Sequence, residues 1–307
     1  MKPKIFIDGE HGTTGLQIRE RLLARDDLDL LSIAHEDRHD RDVRFGLLRE
    51  ADIAILCLPD DAAREAVAMA EGAGTRFIDA STAHRVDPDW VFGFKELDPG
   101  HGETIAGADR VSNPGCYSTG AIALLHPLTA GGLLPAQTYM TINAVSGYSG
   151  GGKALIARME DQSRDDAITA PHHLYANALT HKHLPEIVKY GGLDNTPVFT
   201  PAVGSFPQGM LVQIPLHLAQ LNAASRQEVH TALADHYAAC PGDDVQVVGL
   251  AEGDALERLD VAELADTDIM KLYAFGNDQQ INLVAQLDNL GKGASGACVQ
   301  AMDLMIG

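Results

Sequence analysis

The run Ser112-Asn113-Pro114-Gly115-Cys116-Tyr117 puts one cysteine directly after a turn, and the apolar stretch beyond it predicts a helix that starts at Cys116. A thiol at that position has a lowered pKa, because a helix N-terminus carries partial positive charge and unpaired N–H groups. Free cysteine is also often a buried small hydrophobe, so a structural role is the alternative. Cys57 lies inside Ile55-Leu56-Cys57-Leu58, Cys240 precedes Pro241 and Cys298 falls in a terminal helical pattern; all three read as structural. Four cysteines this far apart, with no C-x-x-C pair, point to reduced thiols in a cytoplasmic enzyme.

A second polar cluster is Thr180-His181-Lys182-His183-Leu184-Pro185-Glu186-Ile187. Pro185 suits the first turn of a helix, which sets His183 near a positive helix end and favours the neutral imidazole that a general base needs. In an extended chain His181 and His183 point to the same side. The H-x-H spacing has no convincing third ligand, so no metal is expected; two surface histidines are the bland alternative. His172-His173 lacks such framing and reads as a loop pair. Two glycine-rich turns, Val145 to Lys153 and Asp288 to Gly296, permit close backbone approach to a ligand, and equally permit tight packing.

Near the N-terminus, Gly9-Glu10-His11-Gly12-Thr13-Thr14-Gly15 follows a short apolar strand and opens a helical pattern. There the glycines allow a tight turn, and backbone N–H groups can reach a pyrophosphate. The spacing is G-x-x-G-x-x-G, an approximate dinucleotide fingerprint, and a plain strand–helix turn is the competing reading. The adenosine ribose should meet the segment from His35 to Arg41, where acidic side chains favour NAD and Arg38 or Arg41 favours NADP; both kinds are present.

The elements that must carry these groups alternate at first. Strand-like runs at Lys4–Asp8, Leu30–Ala34, Ile53–Leu58 and Phe77–Asp79 are separated by helical patterns, which implies βαβ units and a parallel sheet. His35 to Arg49 is charged and irregular and receives no element. After Cys116 the strands at Tyr139–Val145, Val198–Val203, Met210–Leu218, Val245–Leu250, Ile269–Phe275 and Gln280–Leu287 are only partly separated by helices, as in a mixed sheet. Ser225 and Glu228 form a capping box ahead of another helix. The chain has 307 residues, 45% hydrophobic, with a formal net charge of −20. That charge argues against nucleic-acid and anionic-membrane partners, and no apolar run of about 18 residues is present.

Taken in order, these segments, together with Phe77-Ile78-Asp79-Ala80-Ser81-Thr82-Ala83-His84-Arg85, resemble the N-acetyl-gamma-glutamyl-phosphate reductase family in its shorter type 2 form. The resemblance spans nearly the whole chain. It implies an α/β fold: a Rossmann dinucleotide-binding domain, 1–115, completed by a C-terminal helix, 291–307, plus an α+β catalytic domain, 116–290, of the glyceraldehyde-3-phosphate dehydrogenase-like type. It further implies NADP(H)-dependent reduction of a small anionic acyl phosphate, with release of inorganic phosphate, in arginine synthesis. Cys116 matches the nucleophile, with His181 or His183 as acid/base. Asn113, Ser146, Gly147, Lys153, Glu186 and Arg85 are expected at the substrate. Gly9, Gly12, Thr13, Thr14, Gly15, Arg38, Ser81, Asn289 and Gly293 are expected at the cofactor. The fold family suggests a homodimer or homotetramer. The alternatives are an aspartate-semialdehyde-type dehydrogenase, against which no comparable Arg/His pair follows Phe206, and a noncatalytic dinucleotide sensor.

Overall fold

A computed structural model describes residues 2–307, which divide into two compact units. The first comprises 2–95, 101–114 and 294–307; the second comprises 96–100 and 115–293.

In the first unit, Ile5, Phe6 and Ile7 are buried on both sides of β1 (Lys4–Asp8), as a central parallel strand requires. Then follow α1 (Thr13–Leu23), β2 (Asp29–Leu31), α2 (Arg41–Glu50), β3 (Ile53–Leu56), α3 (Asp60–Met69), β4 (Arg76–Asp79), β5 (Val91–Phe92), α4 (His101–Gly107) and β6 (Arg110–Ser112). All pairings are parallel, in the order β2-β1-β3-β4-β6-β5. The register sets Asp8, Leu56, Asp79 and Ser112 abreast, so the strands end along one line. Ile18 and Leu22 of α1 cover one face of the sheet, while Leu48 of α2 and Ala63 and Ala66 of α3 cover the other.

The segment His35–Arg49 that receives no element from its sequence holds all of α2 but its last residue, Glu50. Its caps explain how a mostly charged run becomes helical: the Asp40 carboxylate accepts the N–H groups of Asp42 and Val43, and Leu48 alone is fully buried.

The second unit is built on α5 (Cys116–Ala130), β7 (Thr141–Gly147), α6 (Gly152–Glu160), β8 (His172–Leu174), α7 (Leu184–Gly191), β9 (Val198–Gly204), β10 (Met210–His217), α8 (Arg226–Ala238), β11 (Val245–Val247), α9 (Leu250–Asp254), β12 (Met270–Gly276) and β13 (Gln280–Leu287). The sheet order is β11-β12-β13-β10-β7-β9-β8, with β7·β9 and β11·β12 parallel and the other pairs antiparallel. His172-His173, expected in a loop, forms part of the edge strand β8, because its backbone pairs with β9. Residues 96–100, which the sequence reading assigns to the first domain, belong here. Helix α5 is buried along almost its whole length and lies against the sheet so closely that a Cβ on Gly120 would stand 2.9 Å from Val212. Ser225 caps α8 by accepting the Glu228 N–H, but the Glu228 carboxylate returns to the N–H of Ala224, one residue earlier than a capping box requires.

After β13 the chain makes a single π-helical turn, Gly291–Ser295, and ends in α10 (Gly296–Ile306), whose Cys298, Ala301, Met302 and Met305 join the first unit's core. Among the described residues no helix is long and apolar enough to cross a membrane.

Candidate active site

In the first unit the glycine turn follows directly from β1. Gly9 has φ +93°, and a Cβ there would lie 2.3 Å from the Cys57 carbonyl oxygen, so no other residue fits without backbone movement. Gly12 is the N-cap of α1 and brings no side chain to its first-turn N–H groups; Thr13 and Thr14 open that turn. A Cβ on Gly15 would lie 2.3 Å from the Gly9 carbonyl oxygen. A bare helix N-terminus behind a turn closed to side chains suits a dinucleotide pyrophosphate, at the strand-end edge where doubly wound sheets bind ligands.

The neighbouring strand ends carry Ser81, Arg85 and Asn113. Ser81 is held by the Asp79 carboxylate through its N–H at 2.9 Å and its hydroxyl at 2.8 Å. His84 Nδ1 lies 2.7 Å from Asp79, and its ring stacks on Trp90 at 4.1 Å. Arg85 is buried and donates to the carbonyls of Asn113 and Ala80, tying two loops together. The Asn113 carboxamide donates to Ala294 O at 3.0 Å, while its buried Oδ1 accepts no hydrogen bond from the described residues. Arg38 stands apart on an exposed loop, donating to His35 O. Arg44 was not foreseen; α2 brings it to the end of β1, where its Nη2 lies 2.8 Å from Asp8, and that carboxylate raises its pKa.

In the second unit Cys116 is the first residue of α5, partly exposed, after an N-cap glycine with no side chain to cap the turn. The Gly115 N–H donates to buried Glu186 at 3.3 Å, and the hydroxyls of Ser118 and Thr119 donate to Gly115 O at 2.8 and 2.9 Å. Glu186 thus holds the start of the cysteine's helix. The other thiols differ: burial pushes Cys57 up to about 12 and Cys240 to about 11, and holds Cys298 well above its ordinary value.

The two histidines meet, but not along an extended strand. They lie in the turn that leads into α7, with His183 as N-cap and Pro185 in the first turn. The His183 N–H donates to His181 Nδ1 at 3.2 Å, and the ring centres are 4.7 Å apart. His181 Nε2 lies 3.2 Å from the Tyr175 hydroxyl, and Phe199 and Tyr117 meet its ring edge-on at 5.1 and 5.8 Å. The Tyr117 hydroxyl donates to Ala202 O at 2.9 Å. Burial, with a smaller push from the Cys116 charge, raises the pKa of both Tyr117 and Tyr175. The loop that delivers Tyr175 and His181 holds two non-glycine residues at positive φ, Ala176 (+53°) and Leu179 (+58°), a kind of strain that clusters at functional sites. Nothing in the sequence around Tyr175 signals its placement.

The glycine-rich turns divide differently. Ser146 is buried with its hydroxyl on Gly147 O, and a Cβ on Gly147 would strike Pro207 O at 2.4 Å. Lys153 is exposed in the first turn of α6. Asn289 commits its carboxamide to Ser149 Oγ at 2.9 Å and to the Gly209 N–H at 3.0 Å. Gly293 lies against the cysteine: a Cβ there would stand 2.9 Å from Cys116 Cβ. A surface groove on β10, β12 and β13, about 510 Å³, is lined by Pro215, Leu216, Phe275 and Ile281 and by none of these site residues.

Residues 116–289 match the family model "Semialdehyde dehydrogenase, dimerisation domain", and residues 41–105 match "Semialdehyde dehydrogenase, NAD binding domain". Curated proteins named N-acetyl-gamma-glutamyl-phosphate reductase from Brucella ovis, Brucella melitensis biotype 2 and Brucella suis biovar 1 are each 58% identical over 311 residues, covering 100% of this chain and 100% of theirs. The chain belongs to the N-acetyl-gamma-glutamyl-phosphate reductase family. Solved structures carry the same fold at much lower identity, so this reductase-family chain shares its architecture with a wider group. Aspartate semialdehyde dehydrogenase II of Vibrio cholerae, complexed with ASA, matches with TM-score 0.72 and 18% identity, covering 100% of this chain and 98% of that one. The Candida albicans enzyme with NADP matches with TM-score 0.70 and 14% identity, covering 100% and 99%. The fold is α/β, a Rossmann-type parallel sheet in one unit and a mixed sheet in the other.

Proposed function

We propose that this chain reduces N-acetyl-L-glutamyl 5-phosphate to the 5-semialdehyde, in arginine synthesis, through a thioester on Cys116. The observation that carries the reading is the part-exposed cysteine at an uncapped helix start, followed directly by Tyr117, whose ring meets both imidazoles and the second phenol. Family membership supports the substrate.

The Cys116 thiolate attacks the acyl carbon; the C–S bond forms, the C–O bond to phosphorus breaks, and inorganic phosphate leaves with the electron pair. NADPH, when bound, supplies the hydride that reduces the thioester carbonyl. His181 donates a proton to the resulting oxyanion and recovers it as the C–S bond breaks and the aldehyde departs. The His183 N–H orients the His181 ring through Nδ1, and Nε2, which rests on the Tyr175 hydroxyl before substrate binds, is the nitrogen that exchanges the proton. Glu186 fixes the helix start. Asn113, Arg85, Ser146, Gly147 and Lys153 are assigned to the anionic substrate. The turn Gly9 to Gly15, with Ser81, Asn289 and Gly293, is assigned to the dinucleotide, and Arg38 to its 2′-phosphate. We further assign a cytoplasmic homodimer or homotetramer; the matched dimerisation domain supports the oligomer.

The test is an oxidative assay with phosphate and NADP, comparing N-acetylglutamate semialdehyde with aspartate semialdehyde. We expect kcat/KM to favour the acetylated substrate by about 10³ or more, because a site built for its amide leaves polar groups unpaired without it. Preference for aspartate semialdehyde overturns the substrate assignment.

A further inference from the structure

Lys292 is one of the most deeply buried side chains of the second unit, 1% exposed, and its ammonium lies 2.7 and 2.8 Å from the two carboxylate oxygens of Glu96, itself 3% exposed. Glu96 begins the strap 96–100, and its main-chain carbonyl oxygen accepts from His236 Nε2 at 3.3 Å and from the Cys240 thiol at 3.7 Å, so α8 and the residue Cys240 after it hold the backbone that carries the carboxylate. Lys292 lies in the π-helical turn Gly291–Ser295. Such turns are locally unfavourable and concentrate where a protein must re-aim its backbone.

The glycines on either side of Lys292 show where the turn presses. A Cβ on Gly291 would lie 1.9 Å from the Thr267 carbonyl oxygen, and a Cβ on Gly293 would lie 2.9 Å from Cys116 Cβ and 3.0 Å from Asp288 O. The Gly293 N–H donates to Asp288 O at 2.9 Å. The turn is therefore wedged between Thr267 and the cysteine, with the Lys292–Glu96 pair pinning it from inside. Such a pair is not needed for stability: well-packed apolar replacements of buried ion pairs are often neutral or stabilising, whereas removing one partner strands a charge. A directional pin is what apolar packing does not supply.

We propose that Lys292, anchored by Glu96, is a positioning residue for Cys116: the pinned turn holds Gly293 against the cysteine side chain and thereby sets the direction of its sulfur. In this role Lys292 acts through the backbone of the turn. The inference rests on the reading of Cys116 as nucleophile.

The test compares Lys292→Met with the double variant Lys292→Met/Glu96→Leu in the full chain. Three quantities are read: melting temperature, kcat and KM, and the rate at which iodoacetamide alkylates Cys116, followed by mass spectrometry. Lys292→Met should lower the melting temperature, lower kcat about tenfold or more with KM values within about threefold, and slow the alkylation, since a displacement near 1 Å is enough to cost that much. The double variant, with no stranded charge, should regain the melting temperature while kcat and alkylation stay low. Recovery of kcat together with stability overturns the proposal, as does unchanged alkylation in a folded Lys292→Met. Loss of folding in both variants also overturns it, because the pair then serves the fold. Alkylation needs no turnover, so a Cys116→Ser variant that keeps its activity refutes the nucleophile reading separately from these results.

Discussion

Cys116 and Cys298 both occupy the first turn of a helix, the former as first residue of α5 and the latter as third of α10. Cys298 is wholly enclosed by Ile5, Ile78, Met302 and their neighbours, and burial holds its thiol well above the ordinary value. Cys116 is part-exposed, and two histidines and two tyrosines cluster around its helix start. A helix N-terminus alone therefore makes no nucleophile. The favourable dipole, worth roughly 1 kcal/mol, is outweighed wherever the sulfur is cut off from water and from proton acceptors.

The contrast is broken most directly by exchanging each sulfur for oxygen. Cys116→Ser should reduce turnover by about 10³-fold or more while NADPH binding, read by fluorescence titration, is unchanged. Cys298→Ser should leave kcat within about threefold and lower the melting temperature, because it buries a hydroxyl. Equal kinetic losses in the two variants would erase the distinction. The imidazole side of the contrast predicts a smaller effect: His181→Asn should lower kcat about 10²-fold or more, and Tyr175→Phe about tenfold, the loss of one orienting hydrogen bond. If Tyr175→Phe costs as much as His181→Asn, the phenol is itself the proton donor. The smallest effect concerns Cys57, whose surface is as part-exposed as that of Cys116 but whose thiol is raised by desolvation and by the charges of Asp79 and Asp8. The folded chain keeps the Cys57 proton up to about pH 12, whereas an unfolded chain releases it near 9.0. Over that window the unfolded state binds fewer protons, so stability falls as pH rises. Cys57→Ala should flatten the decline of melting temperature between pH 9 and 12.

Much of the scaffold was legible because burial leaves a pattern. The Gln280–Leu287 run has in β13 the same bounds that its sequence predicts. Helix α2 was invisible since its stability comes from the Asp40 cap and a single buried leucine, neither of which produces an apolar stripe. Edge strand β8 escaped for a related reason: its His172-His173 backbone is recruited by β9, a partner some thirty residues on. At the candidate site, the fold brings together the motif residues Cys116, His183 and Glu186. Tyr175 and Lys292 were missed because their positions depend on a strained loop and a π turn, which are set by tertiary packing rather than by local composition.

The terminal helix α10 has a consequence for how the molecule is made. Ile5, Ile53 and Val111 are made before the second unit, yet the hydrophobic layer they share with Ala301, Met302 and Met305 lacks one wall until residues 296–306 emerge after it. The dinucleotide-binding half is thus begun first and finished last, and its greasy sheet face must be shielded, by chaperones or by transient collapse, throughout synthesis of the intervening 115–293.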